Sequence, residues 1–270
     1  MKFSRDLIKI DPEKETEKIV ANLKSDLSQK LKKKGAVVGV SGGIDSSVVL
    51  ALCSKALGPN RVLAVLMPEK DSSPDNFSLA RQLLQQFHVD YVLEDMTPAL
   101  YGFQAYQRRD DAIRHIFPEY DVSYRVKIGL PQNLLDQGSL NIFHATIISP
   151  EGEEKSARIP YRDFLQIVAA SNLKQRSRMC MLYYHAERLN YAVVGTANKN
   201  EHDLGFFVKY GDGGVDLKPV AHLFKSQIYQ LAKYLNIPQS IQERTPTTDT
   251  YSAEQTQERS EEHTSELQSL

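Results

Sequence analysis

One stretch of the chain combines glycines, hydroxyls and a carboxylate at a spacing suited to phosphate chemistry. Residues 39–47 read Gly-Val-Ser-Gly-Gly-Ile-Asp-Ser-Ser and lie between an apolar run at residues 36–40 and a helical pattern at residues 46–57. Glycines allow a tight turn and close approach of a ligand to the backbone, and the free N–H groups at a helix N-terminus attract anions. We therefore expect this loop to hold a phosphate group.

The loop differs from the two commonest nucleotide-binding loops. It lacks the lysine of a Walker A motif and the glycine spacing of a dinucleotide-binding fold. It contains Asp45 instead, and a carboxylate beside a phosphate cradle is suited to binding Mg²⁺. The structural alternative is a plain glycine turn in which Asp45 caps the helix. The full run after a strand is more specific than that alternative requires.

A second polar block follows another predicted strand at residues 192–195. Glu201 lies five residues after Thr196, and a glycine-rich, charged loop occupies residues 204–219. Ligands of open α/β sheets bind outside the carboxyl ends of the strands, so Asp45 and Glu201 are expected at one edge and could share one Mg²⁺. So long and polar a loop is expected to bind or gate something. The alternative is a hairpin turn at Gly211-Asp-Gly213.

These motifs resemble a known family. Ser41-Gly-Gly-Ile-Asp-Ser-Ser47 resembles the pyrophosphate loop of the N-type ATP pyrophosphatases, which cleave ATP between the α- and β-phosphates. That superfamily includes NAD synthetases, GMP synthetases, asparagine synthetases and tRNA-modifying enzymes. The second block and the run Gln175-Arg-Ser-Arg-Met179 resemble the ammonia-dependent NAD synthetase family specifically. The pattern runs from the loop to Gln257.

The resemblance implies a role for each matching residue. It implies Mg²⁺ on Asp45 and Glu201, with Asp45 and Lys225 as the catalytic pair and Lys225 replacing the lysine that the loop lacks. It implies that deamido-NAD contacts Arg176, Lys209 and Asp216. The implied ATP site consists of Gly39, Val40, Ser41, Gly42, Gly43, Ile44, Asp45, Ser46, Thr196, Lys225 and Thr247.

The reaction implied by the resemblance has two steps. The carboxylate of deamido-NAD displaces pyrophosphate from ATP to form an acyl adenylate, and ammonia then displaces AMP. Because the first strand is predicted to begin near residue 36, we expect no glutaminase domain ahead of it, and free ammonia or a separate glutaminase subunit must supply nitrogen. The family is expected to be homodimeric. Neither cysteine is required, and Cys53 and Cys180 are expected in the core.

Two other functions remain open. The first is a related ATP pyrophosphatase that adenylates another carboxylate, because residues 110–172 form a longer segment than the family usually shows. The second is a nucleotide-binding module without catalysis.

Predicted strands alternate with predicted helices, which indicates a doubly wound parallel sheet with flanking helices. The family resemblance implies that this fold is similar to that of the adenine-nucleotide alpha hydrolases. An N-terminal helix should begin at Asp11-Pro12 and end in a lysine-rich turn before Gly35. A small inserted hairpin is expected from residues 141–149 and 155–159. The predicted strands are residues 36–40, 61–67, 90–93 and 192–195, and the other predicted helices are residues 46–57, 77–87 and 164–190.

Composition excludes several classes of protein. The chain has 270 residues, and 33 Lys+Arg against 34 Asp+Glu give a net charge of −1. That balance offers no field for gathering nucleic acid, and no apolar run approaches the roughly 20 residues of a membrane span. Two cysteines without a CxxC spacing indicate a reducing compartment, so a cytoplasmic location is expected.

The end of the chain departs from the family pattern. Residues 259–269 match the in-frame translation of a common sequencing-library adapter. We therefore expect residues 1–258 to form a single domain that is truncated at its C-terminus, and residues 259–270 to be a non-native tail. The family normally continues with a further helix and a His-Lys pair on deamido-NAD. The alternative is a disordered polar tail.

Overall fold

The computed structural model describes residues 8–129 and 143–244. These residues form two compact units. Of the described chain, the first unit takes residues 8–68, 73–95 and 178–244, and the second takes residues 69–72 and 96–177.

The first unit contains a four-stranded parallel sheet. Its strands are β1 (Ala36–Gly39), β2 (Val62–Leu66), β3 (Asp90–Leu93) and β7 (Ala192–Val194), in the order β3-β2-β1-β7. Ala36 is in register with Val62 on one side and Ala192 on the other. β1, β2 and β7 are buried almost throughout, as their unbroken apolar runs predict for a sheet covered on both faces.

Helices cover both faces of this sheet. One face packs on a large core with α1 (Pro12–Ser25), α2 (Ile44–Leu57), α3 (Pro74–Phe87) and α8 (Lys225–Tyr234). The other face packs on α6 (Tyr161–Leu189) through Val37, Val65 and Val193 against Met179 and Leu182. The predicted doubly wound architecture is confirmed. The helices of this unit are α1 (Pro12–Ser25), α2 (Ile44–Leu57), α3 (Pro74–Phe87), the later part of α6 (Tyr161–Leu189), α7 (Lys199–Asp203), α8 (Lys225–Tyr234) and α9 (Gln239–Gln242), with a π-helical turn at Asp26–Lys30 and a 3₁₀ turn at Pro59–Arg61.

The two ends of the N-terminal helix meet the predictions differently. Asp11 is the N-cap, and its carboxylate accepts the Lys14 N–H at 3.2 Å, as predicted. The predicted glycine cap at Gly35 is wrong, because the residue that turns left-handed is Lys32, with φ 53°. Gly35 is needed for another reason: a Cβ there would lie 2.4 Å from the carbonyl oxygen of Arg61.

The second unit combines helices with an antiparallel sheet. The predicted hairpin is present as β5 and β6, with His144 opposite Arg158, although residues 141–142 lie outside the described chain. Sequence patterns did not predict β4, α4 or α5. The elements are α4 (Thr97–Gly102), α5 (Ala105–Ile116), β4 (Arg125–Gly129), β5 (His144–Ile148), β6 (Glu154–Arg158) and the earlier part of α6, with sheet order β4-β5-β6. Its own apolar core includes Ile113, Phe117, Ile147 and Ile167.

The two cysteines have different environments. Cys53 is fully buried in α2, and burial raises the pKa of its thiol to about 12. The expectation that Cys180 belongs to the core is wrong, because it lies on an exposed face of α6. Across residues 8–129 and 143–244, no helix is both long and apolar enough to span a membrane.

Candidate active site

The predicted phosphate loop, residues 39–47, requires glycine at its tightest point. Gly42 has φ +78°, and a Cβ there would lie 2.7 Å from the carbonyl oxygen of Asn76, at the start of α3. Gly43 is the N-cap of α2 and supplies no side chain to cap it. The N–H groups in the first turn of a helix have no intrahelical acceptor, so this end of α2 has donors for an anion. The predicted cradle fits this geometry.

Hydroxyl groups stabilise the loop from within. Ser46 Oγ and Ser47 Oγ donate to the Gly43 carbonyl at 3.0 and 2.8 Å. Ser41 Oγ accepts the Gly43 N–H at a longer 3.3 Å. Because that contact is long, an incoming phosphate oxygen can replace it at little cost. The other predicted loop residues anchor it, since Gly39 ends β1 and the side chains of Val40 and Ile44 are buried.

A lysine distant in sequence contacts this loop. Lys225 is the first residue of α8, and its Nζ forms an ion pair with Asp45 Oδ2. The two side chains are 22% and 16% exposed. Burial alone would lower the pKa of Lys225, but the negative charges of Asp45 and Glu201 outweigh it and raise that pKa. Lys225 therefore supplies, beside Asp45, a positive charge that the loop itself lacks.

An asparagine links the two predicted metal ligands. Asn198, which is fully buried, donates from Nδ2 to Asp45 Oδ1 at 3.2 Å. It also forms a capping box with Glu201: Asn198 Oδ1 accepts the Glu201 N–H at 3.2 Å, and Glu201 Oε2 accepts the Asn198 N–H at 3.1 Å. Sequence analysis missed Asn198, although the Asn-x-x-Glu spacing of a capping box was a usable signal.

The donor set here suits Mg²⁺ bound with phosphate. Asp45 and Glu201 supply two carboxylates, and Mg²⁺ is commonly held by one or two carboxylates together with phosphate oxygens. Among the described residues, no group of three or more His, Cys, Asp or Glu side chains could hold a metal alone. Thr196 is half-buried in the turn after β7, on the same segment as Asn198.

The glycine-rich loop is fastened to β7. Leu217 forms a parallel bridge with Val194, and Asp216 Oδ2 accepts the Val193 N–H at 2.8 Å. Asp216 Oδ1 accepts the Tyr183 hydroxyl at 3.0 Å. Burial, together with this hydrogen bond, raises the pKa of Tyr183 to about 12. The segment is a series of turns held against the sheet, and a hairpin at Gly211-Asp-Gly213 does not describe it.

The residues predicted for the dinucleotide occupy both units. Asp216 and Lys209 lie in the glycine-rich loop of the first unit, where Lys209 is exposed with its Nζ 5.2 Å from the centre of the Tyr210 ring. Arg176 is an exposed residue of α6 in the second unit. Thr247 lies outside the described residues. Their roles toward ligands stay predictions.

Comparison with known proteins identifies the family to which this chain is similar. A family model described as NAD synthase matches residues 15–126 and 139–266. An NH(3)-dependent NAD(+) synthetase of Rhizobium meliloti (strain 1021) is 49% identical over 256 residues, which are 95% of this chain and 76% of the relative.

Solved structures agree with this result. The NMN synthetase of Francisella tularensis has a TM-score of 0.68 at 24% identity, over 96% of this chain and 84% of that one. At this identity, the similarity supports the fold alone. The NH3-dependent NAD synthetase of Campylobacter jejuni subsp. jejuni NCTC 11168 has a TM-score of 0.61 at 26% identity, over 90% and 81%. The chain therefore belongs to the NAD synthase family, among its ammonia-dependent members.

Proposed function

We propose that this chain is a carbon–nitrogen ligase that amidates deamido-NAD with ammonia, using ATP and producing NAD, AMP and pyrophosphate. Family membership and the name of the 49% identical relative support the overall reaction. The observation that carries the proposal is the Asp45–Lys225 ion pair at the N-terminus of α2, because it joins a cation and a carboxylate to a phosphate cradle.

In the first step, a carboxylate oxygen of deamido-NAD attacks the α-phosphorus of ATP. The bond from that phosphorus to the oxygen bridging the β-phosphate breaks, and pyrophosphate leaves with the bonding electrons. The chain's task is to position the phosphates and stabilise the charge of the leaving group. We assign that work to the N–H groups of the loop and to the ammonium of Lys225.

Asp45 and Glu201 are the residues that we assign to Mg²⁺. Bound there, the ion would neutralise phosphate charge. In the structure, Lys225 occupies one oxygen of Asp45 and Asn198 the other. Because a phosphate attracts the same ammonium, ATP binding should draw Lys225 from Asp45 and release that carboxylate oxygen. Asn198 then keeps the carboxylate oriented beside the capping box of Glu201.

In the second step, ammonia attacks the acyl carbon of the adenylate. The carbon–oxygen bond to AMP breaks, and a proton leaves the nitrogen as the amide forms. Arg176 and Lys209 suit the phosphates of deamido-NAD, and Asp216 can accept from a hydroxyl or ring substituent. Thr196 and Thr247 are assigned to ATP by resemblance.

Assembly and nitrogen supply are parts of the same proposal. We expect a homodimer, a cytoplasmic location and ammonia as the nitrogen donor, either free or from a separate glutaminase. Light scattering measures whether the chain is a dimer. Comparing ammonium with glutamine as the nitrogen source identifies the nitrogen donor, because the chain alone should use ammonium only.

An assay of AMP release tests the reaction. With ATP, Mg²⁺ and ammonium, AMP should appear only when deamido-NAD is added, and NAD should appear in equal amount. AMP release that ignores deamido-NAD would indicate another carboxylate substrate. ATP binding without AMP release under any of these conditions would indicate a nucleotide-binding module.

A further inference from the structure

The second unit contains a buried ion network that includes none of the residues assigned to ATP. Lys174 Nζ on α6 contacts Glu69 Oε1 at 2.8 Å and Asp71 Oδ2 at 2.7 Å. Arg109 on α5 contacts the same Asp71 oxygen at 2.5 Å and Asp110 Oδ1 at 2.8 Å. Each of these five side chains is at most 5% exposed.

Neutral donors complete the network. The Tyr106 hydroxyl donates to Glu69 Oε2 at 2.6 Å, and the Asp71 N–H donates to the same oxygen at 3.0 Å. Although burial alone would raise the pKa of Asp71, the charges of Arg109 and Lys174 outweigh it and lower that pKa. Asp71 is therefore ionised at neutral pH. The charged and polar groups of the network are directed at one another.

Filling a protein core with an ion network carries a free-energy cost of desolvation. Removing charges from water is unfavourable, and apolar side chains of similar volume often stabilise a protein as well or better. The best-attested use of buried ionic groups is to fix one arrangement of packed elements among several. Here the elements so fixed are the short segment at residues 69–72 and the helices α5 and α6.

The local sequence of α6 shows why this helix needs such an anchor. Between Ala170 and Met179, its buried residues are Ser171, Lys174 and Ser177, at a spacing of three that forms one face. The two serines offer little surface for packing. The ion pairs of Lys174 are therefore the strongest directional contacts on the inward face of this stretch.

We propose that Lys174 is a positioning residue for the dinucleotide substrate: its ion pairs with Glu69 and Asp71 set the rotation of α6 that turns Arg176 outward. Residues two apart on a helix point to different sides, and Lys174 is buried while Arg176 is exposed. A slip of one residue rotates the helix by about 100° and would carry Arg176 away from its present direction. The proposal rests on the proposed function, in which Arg176 contacts deamido-NAD.

A double-mutant cycle in the AMP-release assay tests this coupling. K174M should lower kcat/KM for deamido-NAD by about 10- to 100-fold, mostly through KM, and leave KM for ATP unchanged. In an R176A background, K174M should add less than a twofold effect, because the group that it positions is already absent. Equal effects of K174M in both backgrounds, or an equal rise in KM for ATP, would overturn the proposal.

A gentler variant guards against loss of folding. Y106F keeps every charge and removes only the hydroxyl that orients Glu69, so it should raise KM for deamido-NAD severalfold and also lose its effect in the R176A background. K127M is the matched control, because Lys127 pairs with Glu154 on the exposed part of the same unit. It should change neither KM, and an effect equal to that of Y106F would contradict a specific role for the network.

Wild-type protein in the same assay separates the two proposals. If it amidates deamido-NAD while the cycle is additive, only the positioning role of Lys174 is wrong. If it releases no AMP with deamido-NAD, the proposed function is wrong and the positioning role falls with it.

Discussion

The phosphate loop and the buried ion network are both polar, yet they are built on opposite principles. In the loop, residues 39–47 hold their shape through backbone geometry, a left-handed glycine and hydroxyls bonded to nearby carbonyls. In the network, Lys174 contacts Glu69 across 105 positions of sequence. The loop leaves donors for a ligand, whereas the network directs its charges at itself. The shape of the loop is specified by neighbouring residues, whereas the arrangement of the network is specified by partners distant in sequence.

Loss of the loop's carboxylate should have the largest effect. D45N removes the charge that we assign to Mg²⁺ and to Lys225, so AMP release should fall by about 10³-fold with the fold intact. AMP formation and circular dichroism measure the two effects. D75N, at an exposed acidic residue in the first turn of α3, is the control and should leave activity unchanged. Normal turnover of D45N would remove Asp45 from the chemistry.

Breaking the buried ion network should lower the free energy of unfolding. D71N leaves Arg109 and Lys174 with one buried partner fewer and should lower the free energy of unfolding by about 3 kcal/mol at pH 7. E154Q, at an exposed ion pair of the same unit, should cost about 0.5 kcal/mol or less. Denaturant unfolding measures both. Equal losses would mean that burial of the network does not matter.

D71N should also change the pH dependence of stability, in a direction that the pKa of Asp71 determines. Because the pKa of Asp71 in the folded protein lies below its usual value of 3.8, its ionised form contributes stability above pH 3.8. That contribution is lost as the pH falls from 3.8 through the lower folded pKa. Wild-type and D71N stabilities should therefore converge below pH 3.8. A gap that stays constant in acid would assign the loss to altered packing.

The distant lysine should rank next among effects on chemistry. K225Q removes the cation that we assign to the ATP phosphates and should lower kcat/KM for ATP by about 10²-fold. Isothermal titration with pyrophosphate provides a readout independent of turnover. K199Q, at a partly exposed lysine paired with Asp203, is the matched control and should bind pyrophosphate normally. Undiminished pyrophosphate binding by K225Q would exclude Lys225 from the phosphate site.

The smallest effect tests whether the loop depends on glycine geometry. G42A places a methyl group 2.7 Å from the Asn76 carbonyl, whereas G58A has a similar positive φ and no atom within 4 Å. G42A should therefore be about 2 kcal/mol less stable than G58A, because it adds a backbone clash to the strain that both share. Thermal unfolding measures the difference. Matching stabilities would show that the loop can relax away from α3.

Sequence patterns located the first unit better than the second, for a physical reason. Buried parallel strands such as β1 and β2 are apolar throughout, and this signal survives without tertiary information. α5 escaped prediction because its buried face includes Arg109 and Asp110, so burial and hydrophobicity no longer coincide there. Cys180 shows the converse error, since its apolar neighbours suggested burial for an exposed position.

The active site shows the same division. The loop around Asp45 could be identified from local spacing, and Lys225 only through resemblance to a family. The capping box of Asn198 and Glu201 has a local sequence signal, but the hydrogen bond from Asn198 to Asp45, 153 positions away, has none. Local backbone geometry can be predicted from adjacent residues, whereas contacts between side chains distant in sequence are seen only in the folded structure.

The position of β7 beside β1 bears on the order in which the chain folds during synthesis. β1 and β2 are translated close together, but the other edge of β1 can be covered only after β7 is made, because Ala36 pairs with Ala192. Until then that edge would offer unpaired backbone groups to other strands, and pairing so distant in sequence slows folding. Residues 39–47 are also translated early, whereas Asn198 and Lys225 follow β7. The contacts of Asn198 and Lys225 with Asp45 can therefore form only late in synthesis.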